Sequence, residues 1–231
     1  MKTILTAAAA AALLATVATA NAQSPAPENY NALRDFSYNN PNGVWSYGYG
    51  TAGDKNTFVV YPVGLDAGCG RTEDVICDCF ISSNSLVAQN VSGKLQVVNA
   101  AASSIVVPVD ALQLHPRDDG QETIIVFKAP AHGFYKMEGF YEILDNAPTS
   151  IAPRIVIGTK DQTRKAFGSK VDVVLSGASD PANKKVGEKK SFSFTRELSK
   201  DQRVQFSLNP NGDWRFDSTG FDVTITPVAS K

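Results

Sequence analysis

Apolar and polar residues alternate along most of this chain, and almost nothing recurs at the helical period. Val204, Phe206 and Leu208 point one way while Gln205 and Ser207 point the other, and Phe221, Val223 and Ile225 alternate with Asp222, Thr224 and Thr226. Phe192 and Phe194 alternate with Ser191, Ser193 and Thr195; Tyr135, Met137, Tyr141 and Ile143 share a face opposite Lys136, Glu138 and Glu142. Successive side chains of a strand project to opposite faces, so each run predicts a strand with one buried face. Thr123-Ile124-Ile125-Val126-Phe127 is apolar on both faces, which predicts a central strand covered on each side. Turn signals at Asp118-Asp119-Gly120, Ala131-His132-Gly133 and Asn146-Ala147-Pro148 separate the runs. The pattern predicts an all-β fold, a jelly-roll-type β-sandwich of two antiparallel sheets, with two small β domains as the alternative.

Asn-Pro-Asn-Gly-x-Trp occurs twice, at Asn40–Trp45 and at Asn209–Trp214. Proline presets φ and glycine accepts positive φ, so each copy predicts a tight turn that delivers a tryptophan onto the following strand. First and last strands of a sandwich are often neighbours, which predicts that the two tryptophans sit close together.

The amino-terminal segment changes the setting. Lys2, the apolar run from Ile4 to Val17, and Ala20-Asn21-Ala22 make a signal-peptide pattern. The sequence therefore predicts a cleaved leader at 1–22, a flexible lead-in at 23–32, and a single β-sandwich domain at 33–228. Within that domain, 64–104 reads as an elaborated loop region carrying the cysteines and short strands. The expected location is secreted or periplasmic, with no transmembrane segment in the mature chain. The formal charge is −1, so no basic surface large enough for nucleic acid is expected. Lys184, Lys185, Lys189 and Lys190 read as a solvated loop.

Cys69, Cys77 and Cys79 predict one disulfide, Cys69 with either Cys77 or Cys79, as is usual in an exported protein. The thiol left over is free or makes a disulfide-linked dimer. Acidic residues gather at Asp118, Asp119 and Glu122 and at Asp213, Asp217 and Asp222, which makes a structural calcium a candidate. No catalytic cofactor is indicated.

Trp45, Tyr47 and Tyr49 share one face of a strand whose other face offers only Val44, Ser46, Gly48 and Gly50. Such a row either stacks on the C–H faces of sugar rings or fills the core, and the small opposite face suits close packing by another element. Gln113 and His115 share a face of a short strand, either toward solvent, where they suit sugar hydroxyls or proton transfer, or tied to a neighbouring loop. His132 reads as a hairpin-turn residue. Arg71-Thr72-Glu73, Gln113-Leu114-His115 and Phe127-Lys128-Ala129 partly match the strands of alginate-type lyases. The third lacks its tyrosine and follows the second too soon. No nucleophile elbow, metalloprotease helix or phosphate loop is present in the sequence.

Several phrases resemble a group of exported bacterial β-sandwich proteins that often carry a PEP-CTERM sorting tail. They are Asn40-Pro41-Asn42-Gly43-Val44-Trp45-Ser46-Tyr47-Gly48, Asn90-Val91-Ser92-Gly93, Leu112-Gln113-Leu114-His115-Pro116, Gly139-Phe140-Tyr141-Glu142 and Phe216-Asp217-Ser218-Thr219-Gly220-Phe221. The resemblance implies an envelope-associated or secreted protein, often linked to exopolysaccharide, with no established enzymatic activity. This chain closes on Thr226-Pro227-Val228-Ala229-Ser230-Lys231 and shows no such tail.

Together these features predict a non-catalytic β-sandwich that binds polysaccharide or cell-envelope glycan, or contributes to a matrix, with Trp45, Tyr47, His115 and Trp214 in contact. The alternatives are a structural or adhesive protein-contact module and, less well matched, a polysaccharide lyase.

Overall fold

The alternation read from the sequence becomes fifteen strands among the described residues of a computed structural model. It describes residues 29–37, 39–54, 56–62, 77–82, 85–99, 103–149, 151–158, 172–175 and 186–229, with backbone alone at 77–82 and 172–175. The strands are β1 (Tyr30–Asn31), β2 (Trp45–Gly50), β3 (Val59–Val60), β4 (Cys77–Ser82), β5 (Ser85–Asn90), β6 (Gln96–Asn99), β7 (Ser104–Val107) and β8 (Leu112–His115). They continue with β9 (Glu122–Lys128), β10 (Gly133–Ile143), β11 (Ala152–Gly158), β12 (Asp172–Leu175), β13 (Lys189–Leu198), β14 (Arg203–Asn209) and β15 (Thr219–Val228). No helix occurs among the described residues, so none there is long and apolar enough to cross a membrane.

Two antiparallel sheets form the layers of a jelly-roll-type sandwich. A seven-stranded sheet runs β13-β10-β15-β8-β5-β4, with β1 also paired to β15, and a six-stranded sheet runs β12-β11-β14-β9-β2-β3. From β8 to β11 the chain changes sheet at every step, and it does so again from β13 to β15. β6 and β7 form a separate two-stranded ribbon. The core lies between the layers: Ile125, Phe127, Val204, Phe206 and Ile155 from one side meet Tyr135, Met137, Tyr141, Phe221, Val223 and Ile225 from the other. Phe206 on β14 touches Phe221 on β15 at 5.4 Å and Phe192 on β13 at 6.0 Å, which interlocks the sheets.

β9 occupies the interior of its sheet and is buried on both faces, as its unbroken apolar run predicts. Inward go Ile125 and Phe127; outward go Ile124 and Val126, packed with Val156, Ala52 and the half-buried Phe58. The outer face of β2 is small for a reason. A Cβ on Gly48 would lie 2.3 Å from the Val59 carbonyl oxygen and 2.7 Å from the Phe58 ring, and one on Gly50 would lie 2.5 Å from the Thr57 carbonyl oxygen. The covering segment, described at 51–54 and 56–59, thus rests on β2 through Thr57, Phe58 and Val59.

Several expectations need correcting. Residues 29–32 do not belong to a flexible lead-in: Tyr30 pairs with Ile225, and Tyr30 and Ala32 are buried in the core. Within 64–104, β4 and β5 extend the seven-stranded sheet. Lys189 and Lys190 begin β13 instead of lying in a loop. Cys77 and Cys79 sit on β4 opposite Asn90 and Ala88. The leader, Cys69, and any disulfide or disulfide-linked dimer lie outside the described residues.

Candidate functional site

Both repeated turns form, but at opposite ends of the six-stranded sheet. Gly43 takes φ of 57°, and Asn42 and Trp45 exchange backbone hydrogen bonds of 2.9 Å just before β2. Asn211 and Gly212 take φ of 49° and 102° just after β14. β2 and β14 both run antiparallel to β9, so they are parallel to each other. The start of one and the end of the other therefore lie at opposite edges of the sandwich, which separates Trp45 from Trp214. Trp214 also precedes a loop, not a strand.

Trp45 and Tyr47 face the core, at 1% and 0% exposure. Trp45 packs on Phe127 at 5.4 Å, and its indole N–H reaches Asp35 Oδ2 at 3.4 Å. Burial pushes the Tyr47 phenol well above its ordinary range, with the Asp35 charge adding to the rise. The aromatic row is thus core, not platform. β8 is buried on both faces, so Gln113 and His115 do not face solvent. Gln113 donates to Ser218 Oγ at 3.1 Å, and His115 Nδ1 lies 2.9 Å from the Pro116 carbonyl oxygen. Of the four proposed contact residues, Trp45 and Tyr47 share the buried face of β2, and His115 meets the half-buried Trp214 edge to face at 6.1 Å.

The lyase alternative is not supported by the geometry. Gln113 and His115 are buried on β8 of the seven-stranded sheet, whereas Lys128 is exposed at the far end of β9 in the other. Arg71 and Glu73 lie outside the described residues. The acidic clusters do not converge either. Asp119 pairs with Arg117, Asp213 with Arg215, Glu122 with Arg154, and Asp222 accepts from Asn31 and the Leu33 amide. Among the described residues no group of three or more His, Cys, Asp or Glu side chains is placed to hold a metal.

A groove lies on the outer face of the six-stranded sheet, beside the first repeated turn. It has a volume of about 390 Å³ and is lined by Phe58, Val60 and Val126, by Ser46 of β2, by Pro41, Gly43 and Val44 of the first turn, and by Lys128 and Arg203. Its frame is fixed by hydrogen bonds. Asn40 Nδ2 donates to the Tyr47 and Tyr61 carbonyls at 2.7 and 3.1 Å, and its Oδ1 accepts from the Tyr47 amide at 3.0 Å, which pins the turn to β2. The covering segment is held by Glu122, buried at 2% exposure. Its Oε1 accepts from the Ala52 amide at 3.3 Å and Arg154 at 2.7 Å, and its Oε2 accepts from Ser207 at 2.5 Å. Gln205 Oε1 accepts from the Gly53 amide at 2.6 Å. A wider depression of about 630 Å³ on the opposite sheet holds Glu138, Phe140 and Asp222, but its polar groups are already engaged. Lys136 lies 2.8 Å from Glu138, and Lys189 covers Phe140 at 4.1 Å.

No family model matches this chain. No curated protein is similar to it in sequence either. Among solved structures it is similar to the CBM22-1 xylan-binding domain from Paenibacillus barcinonensis, at 6% identity over 61% of this chain and 89% of that one, with a TM-score of 0.36. The N-terminal cellulose-binding domain of Cellulomonas fimi β-1,4-glucanase C matches at 13% identity over 89% and 99%, TM-score 0.33. The Clostridium thermocellum xylanase 10B modules complexed with xylohexaose match at 14% identity over 52% of this chain, TM-score 0.34. This chain spans 22% of that xylanase's length.

Sequence reasoning registered the small face of β2 but not what lies over it. Phe58 heads a short apolar run, Phe58-Val59-Val60-Tyr61, and Arg203 opens a strand noted only for its apolar face. Neither carries a periodic signal pointing to a groove.

Proposed function

We propose that this protein is a non-catalytic, exported carbohydrate-binding β-sandwich that holds glycan in the groove on the outer face of its six-stranded sheet. The observation that carries the reading is the pairing of an apolar floor, Phe58 and Val126, with a polar rim of Ser46, Lys128 and Arg203 in a pinned frame. Sugar rings present apolar C–H faces and a hydroxyl edge, so they bind where an aromatic or aliphatic floor meets a few fixed polar groups. The leader pattern at Lys2, Ile4–Val17 and Ala20–Ala22 supports a secreted or periplasmic setting, where such ligands occur.

The test is retention on insoluble polysaccharides and a glycan array, comparing the mature chain with Phe58→Leu, which keeps the floor apolar and removes the π-face. A loss of about tenfold in affinity, equivalent to ~1.4 kcal/mol, is expected with thermal stability nearly unchanged. Folded protein that retains no glycan would shift the assignment to a protein-contact module.

A further inference from the structure

Lys128 is the last residue of β9 and Arg203 the first of β14, and they are direct partners in the register of those strands. Both are exposed, and both line the groove. Like charges placed directly opposite on one sheet face repel. Such a pair is normally relieved by a nearby carboxylate, but neither residue has an ion-pair partner among the described residues, and the groove lining contains no Asp or Glu. In a chain whose formal charge is −1, this is a local excess of two positive charges at one end of an apolar floor.

From this geometry we propose that the groove selects an anionic polysaccharide, one bearing carboxylate or sulfate groups, and that Lys128 and Arg203 together form the anion subsite. The proposal rests on the carbohydrate reading above and adds the charge class of the ligand. The side chains of direct cross-strand partners start about 5 Å apart, so one anionic group between them meets both. Arg offers a planar fork that matches two oxygens, while Lys supplies a compact point charge. A uronate ring carries its carboxylate at the ring edge. A uronate unit at the rim therefore presents that group to the pair while a neighbouring unit lies flat on Phe58 and Val126, and Ser46 is left for a hydroxyl. Lys128 is level with Val44, and the Phe58 ring lies against Gly48. Four residues of strand separate those levels, roughly 13 Å, so stacking and charge recognition fall on different units of one glycan.

The experiment measures binding of the mature chain to polygalacturonate, dextran sulfate, a neutral β-glucan and polyglutamate, each at low and moderate salt. The expected result is binding to polygalacturonate or dextran sulfate that exceeds the neutral glucan by at least tenfold and weakens with salt. Lys128→Gln/Arg203→Gln should reduce it at least tenfold, whereas the remote Lys94→Gln should not. Preference between the carboxylated and sulfated polymers identifies which anion the subsite takes. Equal or better binding to the neutral glucan overturns this inference and leaves the carbohydrate reading standing. Binding to polyglutamate as strong as to the anionic glycans reduces the pair to a non-selective charged patch and also overturns it. Silence toward all four polymers, from protein shown to be folded, removes both readings.

Discussion

Lys128 on β9 and Arg203 on β14 face each other as direct cross-strand partners, both exposed and both without an opposing carboxylate among the described residues. In the ligand-free protein this arrangement opposes folding. Arg203→Gln should stabilise the free chain by roughly a few tenths of a kcal/mol at low ionic strength, since both charges are solvated. The gain should shrink as salt screens the pair. Urea unfolding at two salt concentrations measures it; an unchanged or lowered midpoint at low salt contradicts the repulsion.

Glu122 acts at the other end of the covering segment. Glu122→Ala leaves Arg154, Ser207 and the Ala52 amide without their shared acceptor. Because Arg154 keeps 27% of its side chain exposed, the cost should be about 2–3 kcal/mol, below that of a fully buried broken pair. Hydrogen exchange at Ala52 and Gly53 should accelerate well before exchange in β9 does. Uniform acceleration across the molecule would mean that the segment is not held separately.

Gly48→Ala tests the contact that shapes the groove wall. Its Cβ meets a backbone oxygen at 2.3 Å, which cannot swing away as a side chain would. A loss of about 1–3 kcal/mol is expected, together with weaker glycan retention as Phe58 is displaced. Retention equal to that of the parent protein would remove Phe58 from the site.

The two tryptophans should behave as opposites. Trp45→Ala should cost about 3–5 kcal/mol, as large buried aromatics do, while Trp214→Phe should cost far less. With Trp214 replaced, the remaining emission should be blue-shifted and shielded from acrylamide. A red-shifted, readily quenched signal would place Trp45 at the surface.

Alkaline pH should unfold the protein through its buried phenols. Burial pushes Tyr61 up to about 12, opposed by hydrogen bonds with Ser85 and Thr123, and burial also raises Tyr47 and Tyr141. An unfolded tyrosine loses its proton near 10 while the folded one keeps it. Stability is therefore whole below pH 10 and falls as pH rises from 10 toward 12. Tyrosinate absorbance from the buried phenols should appear together with loss of the β-sheet signal.

Much of the fold was legible because burial writes itself into the period of two. The unbroken run at Thr123–Phe127 marked an interior strand, and the alternation at Val204–Leu208 and Phe221–Ile225 gave the correct inward faces. Gly48 and Gly50 signalled a close neighbour on β2. The site was not legible, for reasons that are equally physical. Trp45 and Tyr47 share a face whether that face looks inward or outward, and only the opposing sheet decides. The repeated turns look equivalent in sequence, yet strand direction sends them to opposite edges. Lys128 and Arg203 are brought together solely by the register of β9 and β14, which no local pattern encodes.

The order in which strands enter the sheets has one more consequence. β14 lies between β11 and β9, and β15 lies between β10 and β8, so each sheet is completed from within by one of the last two strands of the described chain. A polypeptide that has emerged only as far as β13 has neither the β14 ladder nor the Phe206–Phe221 contact that interlocks the layers. Pairings so distant in sequence form late and slowly. The contact that locks the two layers together is thus unavailable until β14 and β15, the last two described strands, have both been made.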